Sequence, residues 1–200
     1  AVQHWSAPDS MISIDDVVRE VKPTILIGVS GRAGIISESI VKNMYAHCNN
    51  PVIMPLSNPT SKVEAIPEDI LKWTDGNAIV ATGSPFEPVV FNAVSHSIAQ
   101  CNNTYVFPGI GLGVISVNAT RVTEKMFMVA SEALAKTSPL VRGEGEELLP
   151  PIRNIREVSK DIALAVANQA MDENVALRIT ADQVSKNIEK NFWIPEYREY

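Results

Sequence analysis

The chain has 200 residues, a formal net charge of −6 and an apolar fraction of 46%. This length fits one large domain or two small ones, and the apolar fraction suffices for a sizeable core. The 17 Lys and Arg residues are scattered without a basic cluster, which argues against nucleic acid or an anionic membrane as the main partner. No apolar run approaches the roughly 20 residues that a membrane-spanning helix needs.

The start of the chain and its cysteines indicate the compartment. The first ten residues, AVQHWSAPDS, have neither the basic start nor the apolar stretch of a signal peptide. Cys48 and Cys101 form no CxxC pair, so we expect two reduced thiols in a cytoplasmic protein. Because the chain opens without Met, partway into what looks like a loop, we also expect it to be part of a longer protein.

The first half of the sequence alternates two patterns. A short helix is predicted from Asp15 to Lys22, with Val17, Val18 and Val21 on one face. Further helical spacing occurs at Ile36, Ile40, Met44 and Cys48 and from Pro67 onward. Short apolar runs predict four strands: Thr24–Gly31, buried on both faces, residues 51–56, Asn77–Pro85 and Asn103–Gly109. This alternation predicts βαβ units and an α/β, Rossmann-like, doubly wound sheet that is mostly parallel.

The second half is predicted to be helical. One helix occupies residues 120–138, with Thr123 as a possible cap. A second covers Glu157–Asn174. A third begins near Thr180, whose spacing to Gln183 is that of a capping box. Residues 141–151, rich in Gly, Glu and Pro, predict an exposed connection.

Each predicted strand borders on small or polar residues. In open α/β sheets, ligands bind in the crevice outside the carboxyl ends of the strands. Four such segments in succession suggest a shared ligand-facing rim, although the same residues are also good turn formers. The segments are Ser30–Gly34, Ser57–Thr60, Thr82–Pro85 and Gln100–Asn103.

Asn58 is the most informative residue of this rim. An amide offers donors and an acceptor without a charge, and Pro59 biases the Asn58 backbone away from the α region. We therefore expect Asn58 to be presented to a ligand, the alternative being an Asx turn closed on its own backbone. Asn102 and Asn103 have the same chemistry with a weaker positional argument.

Two glycine-rich stretches invite a nucleotide interpretation. The GRAG segment at residues 31–34 lacks the full G-x-G-x-x-G spacing, so a backbone approach to part of a nucleotide stays open but a pyrophosphate cradle is not expected. The GIGLGVI segment at residues 109–115 could also be a nucleotide loop. Its small residues more often let a helix start pack closely on neighbouring backbone.

Other reactive groups form no recognisable constellation. His4, His47 and His96 lack metal-ligand spacing, and His47 is expected on the solvent side of a helix end. Acidic residues fall mostly in predicted helices or in the 144–147 loop, where solvation is the expected role. Glu87 lies near the rim without support as a catalyst. The residues thus predict a ligand rim without an acid–base pair of its own.

Two long segments together resemble malic enzymes, in the C-terminal part of the NAD-binding domain and the residues that follow it. They are PVIMPLSNPTSKVEAIPEDILKWTDGNAIVATGSPFEPV and AQCNNTYVFPGIGLGVI, with the motifs in the family's order and spacing. The segments LIGVSGRAGIISESIVKNM and LLPPIRNIREVS extend the resemblance over essentially all of the chain. The bacterial NAD-type enzymes are the most similar. The resemblance implies that residues 1–140 belong to the NAD(P)-binding domain and that residues 141–200 form a C-terminal helical segment packing on it.

The resemblance also implies a chemistry and its participants. Malic enzymes convert malate to pyruvate and carbon dioxide, reduce NAD or NADP, need Mn²⁺ or Mg²⁺, and form homo-oligomers. Asn58 would touch substrate and the nicotinamide end of the cofactor, and Asn102 or Asn103 would be a second substrate contact. The cofactor-facing positions are Ser30, Gly31, Ser57 and Asn58.

The family's catalytic Tyr and Lys, its metal ligands and its G-x-G-x-x-G fingerprint precede the matching segments. The resemblance therefore implies no catalytic residue and no metal ligand in this chain, which we expect to be inactive alone. Two alternatives stay open at this point. One is the malolactic reaction, from malate to lactate, and the other is a non-catalytic dinucleotide-binding module.

Overall fold

The computed structural model of the protein describes residues 12–197, and His4 lies outside them. These residues form two compact units, each with its own core. Unit 1 ends at Cys101 and also includes Glu146–Leu148, and unit 2 consists of Asn102–Gly145 and the residues from Leu149 onward. The predicted domain boundary at residues 140 and 141 stays a prediction. None of the described helices is long and apolar enough to cross a membrane.

Unit 1 is built on a parallel sheet of four strands, which confirms the predicted α/β class. Its order is β1-β2-β3-β6, and an antiparallel hairpin of β4 and β5, which the sequence patterns did not predict, stands apart from it. The strands are β1 (Ile25–Gly28), β2 (Val52–Pro55), β3 (Ile79–Thr82), β4 (Val89–Phe91), β5 (Val94–His96) and β6 (Ala99–Gln100). The helices are α1 (Ile14–Val21), α2 (Glu38–Tyr45) and α3 (Pro67–Trp73).

The core of unit 1 lies on one face of this sheet. Leu26, Ile53 and Val80 are register partners on three adjacent strands and belong to one apolar cluster with the helices. The helical members of this cluster are Val18, Ile40, Val41, Met44, Ile70 and Leu71.

Strand β1 differs from its prediction. We expected it to be buried on both faces, but Ile25 and Ile27 are 55% and 56% exposed. Side chains alternate between the two faces of a strand, and among the described residues of unit 1 the helices pack on the face that carries Leu26. Val21, predicted on the same face of α1 as Val17 and Val18, is exposed, whereas Val18 is buried.

The fourth predicted strand, Asn103–Gly109, is wrong. Residues Asn103–Tyr105 form a 3₁₀ turn and Phe107 begins helix α4, whereas the fourth parallel strand is β6, just upstream. Pro108 explains the difference, because a proline in the first helical turn lacks only an N–H that would have no partner there. Asn102 and Asn103 therefore follow a strand instead of preceding one.

Unit 2 is helical, as predicted. Its helices are α4 (Phe107–Ser116), α5 (Glu124–Lys136), α6 (Pro139–Arg142), α7 (Ile155–Asp172) and α8 (Ala181–Asn191). The Thr123 hydroxyl accepts a hydrogen bond from the Met126 N–H and caps α5. Thr180 caps α8 in the same way through the Gln183 N–H, while the Gln183 side chain donates to Asn187 instead of completing the box.

Helices α4 and α7 approach each other through two glycines. A Cβ on Gly109 would lie 2.7 Å from the Ile162 Cβ, and one on Gly113 would lie 2.6 Å from the Ala163 carbonyl oxygen. The interpretation of GIGLGVI as a close-packing helix start is thus confirmed. The contact is made by glycines four residues apart, since these share a helix face, while Gly111 between them meets nothing within 4 Å.

We predict that Gly113→Ala destabilises the protein by about 1–3 kcal/mol, because the new methyl group would overlap α7 backbone and the helices must separate. Gly111→Ala is the matched control. It adds the same methyl group to open space and should leave stability unchanged or raise it by up to about 1 kcal/mol through helix propensity. Denaturant unfolding of both variants measures the difference, and equal midpoints would contradict the packing.

Candidate functional site

The carboxyl ends of β1, β2 and β3 meet in one cluster within unit 1, which confirms that these strand ends share a rim. The Gly31 N–H donates to the Ser57 hydroxyl at 2.8 Å, which joins the loop after β1 to the loop after β2. The Ser84 hydroxyl, after β3, donates to the Asn58 side-chain oxygen. Parallel strands place their carboxyl ends at the same sheet edge, so residues distant in sequence become neighbours.

Asn58 stands exposed at this rim. Its peptide bond to Pro59 is cis. Its Oδ1 accepts from Ser84 and forms no described bond to the neighbouring backbone, so the Asx-turn alternative is wrong. With the oxygen engaged, the Nδ2 group remains to donate to a ligand.

Gly83 allows β3 to pass directly beside Asn58. A Cβ at Gly83 would lie 2.1 Å from the Leu56 carbonyl oxygen and 3.0 Å from the Asn58 Nδ2. No other residue type fits at this distance. The glycine of the GSPF motif therefore fixes the spacing between the ends of β2 and β3.

A buried carboxylate, that of Glu64, lies behind the rim. The residue is 0% exposed. Its Oε1 accepts from the Ser30 N–H at 2.7 Å, the Ser30 hydroxyl at 2.9 Å and the Ser57 hydroxyl at 2.5 Å. Its Oε2 accepts from the Ser57 N–H at 3.3 Å. A buried charge is tolerated when it is fully hydrogen-bonded, and these four bonds meet that condition.

The loop after β1 directs three amides inward, either to this carboxylate or to the serine hydroxyls that are bonded to it. The Ser30 N–H donates to Glu64 itself, the Gly31 N–H to the Ser57 hydroxyl and the Arg32 N–H to the Ser30 hydroxyl at 3.1 Å. Consecutive N–H groups of this kind commonly bind a phosphate. Here the carboxylate and two serine hydroxyls accept these bonds, so the N–H groups of Ser30, Gly31 and Arg32 already have partners within the protein.

Hydrogen bonding decides the charge state of Glu64. Burial by itself would raise its pKa, but the bonds from Ser57 and Ser30 outweigh burial and hold the pKa below the ordinary value of 4.5. No described Lys, Arg or His pairs with it. The carboxylate is therefore stabilised at neutral pH by neutral donors alone.

Sequence reasoning missed Glu64, since it assigned the acidic residues mostly to solvated positions. A signal was present. Glu64 lies between Val63 and Ala65, and all three are buried. A charged residue with apolar residues on both sides, six positions after Asn58, is an unusual pattern for a solvated surface.

The predicted cofactor positions differ in exposure. Ser30 and Gly31 lie on an exposed loop, and a Cβ at Gly31 would meet nothing within 4 Å, so its surface is open to a flat or bulky group. Ser57 is only 9% exposed. Its hydroxyl already donates to Glu64 and accepts from Gly31.

Asn102 and Asn103 belong to unit 2 and differ from each other. The Asn102 Oδ1 accepts from both the N–H and the hydroxyl of Thr104, at 3.0 and 2.9 Å, which is a local cap. Asn103 is exposed, and its side chain makes no described hydrogen bond. The two amides thus have different roles in the isolated chain.

Other candidate groups add no further site. Within residues 12–197, no group of three His, Cys, Asp or Glu side chains could hold a metal ion. Glu87 and His47 are exposed. Cys48 and Cys101 are free, and burial raises the pKa of the Cys101 thiol, which makes it less reactive.

Comparison with known proteins places these features in a family. A family model described as "Malic enzyme, NAD binding domain" matches residues 1–171. The chain belongs to this family. The resemblance seen in its motifs is thereby confirmed, and the segments quoted for it include the rim of unit 1.

Relatives and solved structures agree with the family. The NAD-dependent malic enzymes of Cronobacter sakazakii and Salmonella arizonae are 55% and 53% identical to this chain over its whole length. Malic enzyme structures from Pyrococcus horikoshii and Entamoeba histolytica cover 88% and 92% of it, with TM-scores of 0.67 and 0.70 and identities of 27% and 26%. The chain spans 35% of the two bacterial relatives and 36% and 35% of the two solved chains.

We predict that Glu64→Gln lowers the free energy of unfolding at pH 7 by about 1–3 kcal/mol, because an amide cannot accept all four bonds. Since the folded pKa is depressed, the contribution of the carboxylate is complete above the ordinary pKa of 4.5 and is lost as pH falls through the folded pKa. The gap between wild type and variant should therefore narrow below pH 4.5.

Urea unfolding at several pH values measures this gap. Glu68→Gln is the control, because Glu68 is exposed in the first turn of α3 and its replacement should change the free energy of unfolding only slightly. A gap for Glu64→Gln that stays constant down to the acid limit would contradict an ionised, hydrogen-bonded carboxylate.

Proposed function

We propose that this chain is the C-terminal part of an enzyme that oxidatively decarboxylates malate to pyruvate and carbon dioxide and reduces NAD. The observation that carries the proposal is the exposed Asn58 amide, held by Ser84 at the end of β2, within a family of NAD-binding domains of malic enzymes. The high identity with bacterial NAD-dependent malic enzymes supports NAD as the cofactor, with NADP as an alternative acceptor.

Asn58 would act by positioning. Because its oxygen is held by Ser84, its Nδ2 would donate to an oxygen atom of malate or of the nicotinamide carboxamide, and orient the two for hydride transfer. Ser30 and Gly31 would line the cofactor beside it, with Ser57 supporting the loop from behind. The cofactor supplies the hydride acceptor, and these residues bind and orient.

Asn103 is the better candidate for the second substrate contact. Its amide is exposed and forms no described bond, whereas the Asn102 oxygen is committed to Thr104. We therefore assign Asn102 to shaping the turn and Asn103 to the substrate. Both amides would be needed, one for the geometry and one for the contact.

The complete protein would need parts that these residues do not provide. The described residues contain no fitting cluster for Mn²⁺ or Mg²⁺, so we assign the metal ligands and the acid–base residues to the remainder of the enzyme. No step of the reaction is attributed to a metal held by this chain. A homo-oligomer in the cytoplasm, with no nucleic-acid or membrane partner, completes the proposal.

The decisive experiment is analysis of the product that the complete protein forms from malate with Mn²⁺ and either NAD or NADP. We expect pyruvate with stoichiometric reduced NAD, and no turnover from residues 1–200 alone. Lactate without free NADH would move the activity to the malolactic branch. Turnover by the 200-residue chain alone would show that it contains the reactive groups after all.

We predict that Asn58→Ala in the complete enzyme lowers kcat/KM for malate by about tenfold to a thousandfold, since one well-placed polar contact is worth roughly 1.5–4 kcal/mol in a transition state. Asn49→Ala is a suitable control, because Asn49 is exposed in the loop after α2 and makes no described side-chain hydrogen bond. Steady-state kinetics of both variants test the role, and an unchanged Asn58→Ala enzyme refutes it.

A further inference from the structure

We propose that Glu64 is a positioning residue of the enzyme, which acts through Ser30 and Ser57 to set the Asn58 amide and the cofactor-facing loop at Gly31. The inference rests on the proposed function and adds to it a residue that faces neither ligand. Its basis is the geometry of a single buried carboxylate that serves two strand ends at once.

Glu64 connects the segments that follow β1 and β2. Ser30 follows β1 and Ser57 follows β2, and each gives Glu64 both its N–H and its hydroxyl. The loop that carries Glu64 is also bonded to the segment after β1 through its backbone, by Gly34 N–H to the Val63 carbonyl at 3.2 Å and Ile36 N–H to the Glu64 carbonyl at 3.1 Å. The carboxylate is therefore held by several bonds and cannot shift alone.

The bonds to Glu64 also fix Asn58 and Gly31, the groups that would face the ligands. Ser57 is the residue before Asn58, so the two bonds from Ser57 to Glu64 fix the backbone from which the amide projects. The Gly31 N–H reaches the same hydroxyl, and the exposed surface of Gly31 is thereby held at a fixed place relative to Asn58. A displacement of the carboxylate would move both ligand-facing groups together.

Gly28 provides an independent indication that the place of this carboxylate matters. A Cβ at Gly28 would lie 2.8 Å from the Glu64 Cγ and 2.9 Å from its Cδ. These atoms are not a free side-chain end, since four hydrogen bonds hold the group beyond them. Strand β1 thus ends in the one residue type that leaves room for Glu64.

Two substitutions disturb the Glu64 carboxylate in chemically different ways and should have the same effect on the enzyme. Glu64→Gln removes the charge and one acceptor but keeps the volume. Gly28→Ala keeps the charge and every donor but displaces the carboxylate. Glu68→Gln, the same exchange at an exposed position of α3, serves as the control.

The test uses the complete enzyme at a temperature where circular dichroism shows every variant folded. We expect Glu64→Gln and Gly28→Ala to lower kcat with malate and NAD by about tenfold to a hundredfold, as small misplacements of positioning groups do. We also expect faster hydrogen–deuterium exchange in peptides covering residues 29–33 and 56–58. Glu68→Gln should change neither.

A merely structural role gives another pattern. The variants would unfold at lower temperature, but the folded enzyme would keep kcat and both KM values within about twofold of wild type. That result would overturn the proposal while leaving the malate reaction in place. Unchanged exchange in both peptides would overturn it as well, because the bonds to Glu64 would then not hold the loops.

Failure of the proposed function is visible separately. If the wild-type complete enzyme does not oxidise malate, exchange and NADH affinity, measured by fluorescence titration, still test the role of Glu64. Faster exchange together with weaker NADH binding in both variants would support it. Wild-type exchange or wild-type NADH affinity in the two variants would overturn it.

Discussion

The rim of unit 1 depends on one interaction, the hydrogen bonding of the Glu64 carboxylate to the ends of β1 and β2. A buried negative charge without a cationic partner is costly unless neutral donors satisfy it. Here Ser30 and Ser57 supply two donors each, and Gly28 leaves the space. If the two strand ends separated or slid, the carboxylate would become exposed to solvent or lose its hydrogen-bond donors.

In this arrangement, three consecutive N–H groups of the glycine-containing turn after β1 are hydrogen-bonded within the protein. Of the N–H groups of Ser30, Gly31 and Arg32, only the first donates to the Glu64 carboxylate. The other two donate to the hydroxyls of Ser57 and Ser30, which in turn donate to that carboxylate. What remains for a ligand is the open surface of Gly31 and the donor side of the Asn58 amide. Under the proposed function, these two groups would face the nicotinamide end of the cofactor and malate.

In unit 2, two glycines allow two helices to pack closely. Gly109 and Gly113 let α4 approach α7 to the distance of their backbones, and Tyr105, buried at the start of this region, donates its hydroxyl to the Pro150 carbonyl at 2.6 Å. Tyr105 is the last residue of the 3₁₀ turn that begins at Asn103 and is capped by Asn102. Asn102 and Asn103 thus lie a few residues before the start of α4 at Phe107.

The sequence by itself determined the parallel α/β class, helices α2, α3, α5, α7 and α8, the Thr123 and Thr180 caps, and the family. These features depend on local periodicity, capping residues and motif spacing. Only the tertiary structure decided the exposed face of β1, the place of β6 and the burial and hydrogen bonding of Glu64. The Ser30–Glu64 bonds join residues 34 positions apart, and whether a carboxylate is solvated or buried depends on which strands and loops surround it. The local sequence pattern does not specify those neighbours, so the surroundings of Glu64 are seen only in the three-dimensional structure.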